Sequence, residues 1–263
     1  MLTVLALGLL IGAVMALTGA GGGILAVPLL VFVLGLGVAQ AAPVGLLAVG
    51  LAALLGAAIG LRHGVVRYKA AMLMALAGMA CAPLGVWSAA RLDTRWLSGL
   101  FAAVLLFVAF RTFRLTLAPP AAVARPAPPC VLSSETGRFI WTTRCARAMA
   151  GTGSVAGLLS GLLGVGGGFV IVPALGRYTT LGMQSIIPTS LAVTSFVTLS
   201  GVVSSAWSGK LAWNLAAPFA AGALAGMLAG RRAAPRLAGP QLQRGFAAMA
   251  AVVAAGMLYK ALA

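Results

Sequence analysis

A single offset of 145 residues lays the second half of the chain over the first without a gap. Gly19-Ala20-Gly21-Gly22-Gly23 falls on Gly164-Val165-Gly166-Gly167-Gly168, Pro28 on Pro173, Leu36-Gly37 on Leu181-Gly182 and Pro43 on Pro188. Gly56 falls on Gly201, Gly64 on Gly209, Gly85 on Gly230 and Arg91-Leu92 on Arg236-Leu237. Self-similarity at this scale means that each structural unit is encoded twice. Residues 1–118 and 146–263 are the two expected repeats. The remainder, 119–145, contains Pro119-Pro120, Pro126 and Pro128-Pro129 among scattered Ser, Thr and Arg, and reads as an exposed, basic, Pro-rich linker.

Within each repeat the apolar runs fall at about 2–18, 24–36, 39–61, 70–90 and 96–115, with equivalents one offset further on. A spanning helix needs about 20 apolar residues. The last three runs reach that length, whereas the first two are short and are joined by the glycine cluster. They predict a helical hairpin or broken helix whose turn lies within the membrane thickness, where irregular backbone must be buried in protein or line a polar cavity. Composition agrees: 62% of residues are hydrophobic and 8% charged, against about a quarter charged in soluble proteins. So few polar side chains cannot cover a globular surface in water. The expected fold is all-α, a polytopic transmembrane protein of two inverted repeats, each a short Gly-turn hairpin plus three spanning helices. Residues 1–17 lack the basic start of a signal peptide and have a copy in the second repeat, so they are expected to stay in the mature protein.

The 18 Lys and Arg against 2 Asp and Glu would suggest nucleic acid in a soluble chain. Here the bases sit between apolar runs, where cytoplasmic loops of membrane proteins collect them, and no nucleic-acid partner is expected. The two acids, Asp93 and Glu135, both lie outside the apolar runs. That excludes paired-carboxylate hydrolysis, Ser-His-Asp catalysis and carboxylate-held metals, and argues against a proton path through buried acids. The single histidine, His63, sits beside Arg62 at a loop edge. Cys81, Cys130 and Cys145 show neither metal spacing nor an even framework. In a cytoplasmic linker, Cys130 and Cys145 are expected to be reduced.

Loop charges distinguish an inverted from a parallel repeat. An odd number of crossings per repeat puts Arg111, Arg114, Arg125, Arg138, Arg144 and Arg147 on one side with Arg62, Arg67, Lys69, Arg177, Arg231, Arg232 and Arg236. Only Arg91, Arg95 and Lys210 then face the other way. An even number divides the charges far more evenly. The basic side is cytoplasmic, so the linker is expected inside and both termini outside, and matched interrupted helices place a transport site near the midplane.

Two elements are candidates for that site. The glycine clusters, Gly19, Gly21, Gly22, Gly23 and Gly164, Gly166, Gly167, Gly168, lack the βαβ context and ribose-binding acid of a dinucleotide fold, and Gly209-Lys210 is followed by Leu211 rather than a Walker hydroxyl. One reading has them free backbone N–H groups at a helix start to bind an anion. The other has them pack helices closely, the reading adopted for Gly8, Gly12, Gly56, Gly85, Gly201 and Gly230. The second element is the hydroxyl-rich run Pro188–Ser205, in which Thr194, Thr198 and Ser205 share a helix face with Ser190 nearby. Thr189, Ser190 and Thr194 either line a site as neutral donors or bond back to their own helix. Gln40, Gln184 and Ser185 flank the same segments. The first repeat has Val44-Gly45 where the second has Thr189-Ser190, so any site is asymmetric.

Two copies of Gly-x-Gly-Gly-Gly followed by a proline (Gly19 to Pro28, Gly164 to Pro173), a proline-led small or hydroxyl helix (Pro43; Pro188-Thr189-Ser190) and a basic-flanked glycine (Gly64; Gly209-Lys210) resemble the TauE/SafE sulfite exporter family. The resemblance covers nearly the whole chain apart from the linker. It implies a multi-pass permease of the bacterial inner membrane for sulfite, a sulfonate, another sulfur oxyanion or a small organic acid. The expected partners are that small anion and the lipid bilayer; no cofactor, metal or catalytic residue is expected, and the sequence does not specify an oligomeric state. A passive anion channel or a structural membrane component is the alternative.

Overall fold

The computed structural model of the chain describes residues 1–117, 128–131, 139–207, 209, 211–237 and 240–262. Most of the expected linker, 119–145, lies outside the described residues, as do Ser208 and Lys210. Among the described residues the chain forms ten α-helices, and the only strand-like pairings are isolated bridges. Helix α1 (Leu2–Thr18) leads through a 3-10 turn (Gly19–Leu25) to α2 (Ala26–Leu34), followed by α3 (Val38–Arg62), α4 (Tyr68–Ala89) and α5 (Thr94–Leu117). After the central segment come α6 (Thr143–Leu163), α7 (Gly168–Tyr178), α8 (Met183–Trp207), α9 (Trp213–Leu237) and α10 (Pro240–Leu262). Both bounds of α3 recur in α8 at the 145-residue offset, and the start of α4 recurs in α9. The same punctuation causes the match. Gly64 and Gly209 follow α3 and α8 with φ of +67° and +65°, a left-handed conformation that glycine adopts without strain and that stops a helix.

By length and composition, three helices are apolar enough to cross a membrane among the described residues: α3, α4 and α8. Shorter apolar stretches lie at 95–110 in α5 and 248–259 in α10. Large apolar side chains face outward along the helices, including Leu54, Met72, Leu76, Phe107 and Val252. An exposed apolar surface of this extent matches lipid rather than water. Exposed Trp87, Trp96, Trp207 and Trp213 flank the 89–94 and 207–213 connections, and the Arg91 guanidinium lies 3.7 Å from the Trp87 ring centroid. Tryptophan at helix ends is the usual mark of a membrane–water interface.

Glycine controls how the helices meet. A Cβ on Gly8 would fall on the Phe219 carbonyl oxygen, one on Gly12 on that of Ala223, and one on Gly226 on that of Leu9. Helix α1 therefore lies backbone to backbone on α9, with residue numbers rising together. A second pair repeats the arrangement: Gly153 meets the Met74 carbonyl, Gly157 that of Gly78 and Gly161 that of Ala82, so α6 lies parallel to α4. The contacts Gly8–Phe219 and Gly153–Met74 exchange on adding the offset to one partner and subtracting it from the other. Helices α3 and α8 run antiparallel, with Gly50 against Thr198, Gly56 against Leu191 and Gly60 against Pro188. Gly85 and Gly230 also make backbone contacts, while Gly201 stands 3.2 Å from Leu46 and is less confined. Gly157→Leu is expected to destabilise the protein by about 3 kcal/mol or more, since the facing atoms are backbone and cannot move aside. On the same helix Gly151 has open space around a built Cβ, so Gly151→Ala should be neutral to stabilising by up to about 1 kcal/mol. Thermal unfolding in detergent followed by tryptophan fluorescence checks the contrast.

Candidate functional site

The two glycine clusters fold differently. Gly19 has φ +76° and the rest of its cluster continues as the 3-10 turn, where the Ala26 N–H donates to the Gly23 carbonyl. Of Gly21, only its place on this turn is described. In the second cluster Gly164, Gly166 and Gly167 all have positive φ, at +74°, +79° and +67°. Gly164 ends α6 as its left-handed cap, and Gly167 caps α7. The N–H groups of Val170 and Ile171 both donate to the Gly167 carbonyl, at 3.0 and 3.3 Å. In any helix the N–H groups ahead of that first bond have no intrahelical acceptor and carry the positive end of the dipole. An oriented amide terminus is therefore a property of Gly168 and α7, while the first turn spends its amides on a tighter helix.

Helices α3 and α8 bring the clusters together. A Cβ on Gly23 would stand 3.0 Å from Val49 and 3.2 Å from the Val165 carbonyl oxygen. One on Gly166 would stand 2.7 Å from Val49 and 2.9 Å from Thr194 Cγ2. Gly19 faces Ile187, Gly164 faces Ala42, and Gly22 packs on Val14 and Met15 of α1. Close packing and turn formation thus act at the same glycines. Gly22 serves packing within its own hairpin, whereas Gly166 brings backbone up to Thr194.

The hydroxyls of α8 separate by partner. Thr198 Oγ1 donates to the Thr194 carbonyl at 2.7 Å, Ser190 Oγ to Ile187 at 2.9 Å, Ser195 Oγ to Ala192 at 2.8 Å and Ser200 Oγ to Val197 at 3.0 Å. These bond back to their own helix. Thr189 Oγ1 instead accepts the Arg67 backbone N–H at 3.1 Å, tying α8 to the 63–67 loop. Thr189 is thus five residues before Thr194, roughly 7 Å along the helix axis. Thr194 Oγ1 is fully buried and has no partner. An orphaned buried hydroxyl costs about 1–3 kcal/mol, so it points to a ligand or to function. Of the three hydroxyl candidates, only Thr194 combines contact with a glycine cluster and a free donor. Gln40 and Gln184 are exposed and Ser185 is half-buried.

Sequence reasoning missed three features. Ser160 Oγ is buried without a partner one turn beyond Ala156, whose carbonyl oxygen lies 2.6 Å from a built Gly167 Cβ. Its signal was the one hydroxyl in the 155–164 stretch that leads into the glycine cluster. Arg231 was read as a loop charge, but its Nη1 donates to the Gly56 carbonyl at 2.8 Å. Cys130 and Cys145, expected to be reduced in a cytoplasmic linker, are joined in this structure by a disulfide with Cα atoms 4.9 Å apart, within the span that bond requires. Cys81 is free, and no group of three or more potential ligands could hold a metal among the described residues.

A family model described as "Sulfite exporter TauE/SafE" matches residues 4–257. A protein of Xylella fastidiosa (strain 9a5c) named "Probable membrane transporter protein" is 29% identical over 213 residues, covering 80% of this chain and 76% of its own. Its counterpart of the same name in strain Temecula1 / ATCC 700964 is 28% identical over 211 residues, with the same coverage. No solved structure matches.

Thr194→Val replaces an orphan hydroxyl with a methyl group of similar shape, and is expected to leave stability unchanged or raise it by up to about 1 kcal/mol. Thr189→Val removes the acceptor of the Arg67 N–H and should cost about 1–2 kcal/mol. Denaturation of the purified variants in detergent measures both.

Proposed function

The chain belongs to the TauE/SafE sulfite exporter family and is a membrane transporter rather than an enzyme, and from that premise we propose a secondary permease for a small anion bound near the midplane between the two glycine turns. The substrate is sulfite, a sulfonate, another sulfur oxyanion or a small organic acid. The observation that carries the reading is the unpartnered, fully buried hydroxyl of Thr194, a residue whose methyl group packs against Gly166. It sits next to a turn of left-handed glycines that opens a helix. Backbone N–H groups and a neutral hydroxyl bind an oxyanion without the desolvation cost of a buried cation. Gly164, Gly166, Gly167 and Gly168 supply the turn and the amides, and the turn of Gly19, Gly21, Gly22 and Gly23 opposes them through Gly23. Thr194 donates from α8, while Thr189 and Ser190 extend the same helix toward the Arg67 end.

The scaffold is two inverted repeats, 1–118 and 146–263, joined by a cytoplasmic linker. Supporting this are the antiparallel course of the equivalent helices α3 and α8 and the exchanged contacts of α1–α9 and α4–α6. In that arrangement each hairpin of short helices enters and leaves on one side of the inner membrane, the N- and C-termini lie outside, and the loops rich in Lys and Arg lie inside. Inverted pairs of interrupted helices around a central site suit alternating access.

Purified protein in proteoliposomes is expected to show saturable counterflow with at least one of sulfite, sulfate, methanesulfonate and acetate. Thr194→Val should lower that flux about tenfold or more at equal protein level. Ser200→Ala, whose hydroxyl is spent on the Val197 carbonyl, should keep it. Unsaturable ohmic conductance, or full flux in Thr194→Val, would reject the proposed site and mechanism.

A further inference from the structure

The described parts of the central segment make a specific connection. The Cys130 N–H donates to the Tyr178 carbonyl at 3.1 Å, and Cys130 forms a parallel bridge with Thr179 at the end of α7. The Cys130 side chain is bonded to Cys145, in the first turn of α6. That turn is capped by Thr142, whose hydroxyl accepts the Cys145 N–H at 3.1 Å and donates to the Pro129 carbonyl at 3.3 Å. Ile140 N–H donates to Val131 at 3.0 Å. On the α7 side Thr179 is buried, its hydroxyl donating to Leu175 at 2.6 Å and accepting the Leu181 N–H at 3.2 Å. One residue, Cys130, therefore joins the two outer ends of the α6–α7 pair, whose inner end is the Gly164–Gly168 turn. The equivalent connection of the first half, Gly35–Gly37, has open space around both glycines.

We propose that Cys130 and Cys145 are a reversible thiol–disulfide site, whose closure straps the α7–α8 connection to the first turn of α6. The inference rests on the reading that the linker faces the cytoplasm, where thiols are kept reduced and a disulfide between them is transient. Cys145 occupies the third position of a helix, and thiolates are favoured at helix N-termini. The oxidant is a low-molecular-weight disulfide. The Cys145 thiolate attacks one of its sulfurs, expelling one thiolate and leaving a mixed disulfide. The Cys130 thiolate then attacks the Cys145 sulfur and expels the second. Two protein thiols are oxidised, one small disulfide is reduced to two thiols, and the two protons pass to the departing thiolates. Both sulfurs are buried in the closed state, so opening again requires local separation of the strap from α6. Closed, the strap holds the outer ends of α6 and α7 together and restrains the pair that carries Thr194's neighbouring turn.

Two measurements separate the strap from the topology on which it rests. In intact cells, acid quenching and alkylation with a mass-tagged maleimide should find both thiols free, and a brief pulse of the thiol oxidant diamide should protect them, with Cys81→Ser giving the same result. A pair already oxidised in unstressed cells would overturn both the reversible site and the cytoplasmic linker; a pair still free after diamide would overturn the site alone. In the purified full-length protein, reduction should speed amide exchange at Cys130 and Leu181 about tenfold or more. Cys130→Ser, in either redox condition, should match the reduced protein. A change of less than about twofold would overturn the strap and leave the topology intact.

Discussion

Backbone-to-backbone contact at glycine is the interaction on which the rest of this structure depends. Between helices in a bilayer, burying leucine gains little, because lipid tails are as apolar as leucine. What remains is dispersion over a close, matched surface together with satisfied backbone polarity. Gly8, Gly12, Gly222 and Gly226 supply that surface between α1 and α9, and Gly78, Gly153, Gly157 and Gly161 supply it between α4 and α6. Each pair joins a helix of the first half to one of the second. Neither half completes its packing alone, so the central crossing of α3 and α8 is held from both sides by contacts of the same kind.

Of these contacts, those of Gly8 and Gly12 were legible in the sequence because they are periodic. Glycines four residues apart within apolar runs define one helix face, and duplication displayed the pattern twice. Turn positions were legible for a related reason: Gly64 and Gly209 end equivalent helices because each provides a conformation that other residues reach only with strain. The state of each hydroxyl on α8 was not legible. Thr194 and Thr198 share a face and differ by one turn, yet Thr198 spends its hydroxyl on the Thr194 carbonyl while Thr194 has no partner. That difference depends on side-chain rotamer and on what the neighbouring helix presents, neither of which spacing encodes. The disulfide was hidden differently, since the chain between Cys130 and Cys145, separated by 15 positions, carries no periodic signal and brings the thiols together only once residue 130 docks on α7.

The two copies also differ, an asymmetry visible in the sequence that the structure makes physical. Val44, Gly45, Val49 and Ala53 stand where Thr189, Ser190, Thr194 and Thr198 stand in the other half. The first glycine cluster closes into a 3-10 turn, while the second opens through three left-handed glycines into α7. Val49 lies against both clusters, within about 3 Å of a built Cβ on Gly23 and on Gly166. One half thus presents apolar surface to the centre and the other presents donors. A symmetric pair of donor sites would hold an anion equally from either side. In the proposed site the donors all belong to one half, so that movement of that half relative to its apolar counterpart would change what surrounds the anion while its hydrogen bonds travel with it. The scaffold can therefore be duplicated and the chemistry single: packing needs small residues at both copies of each contact, whereas binding one small anion needs donors only once.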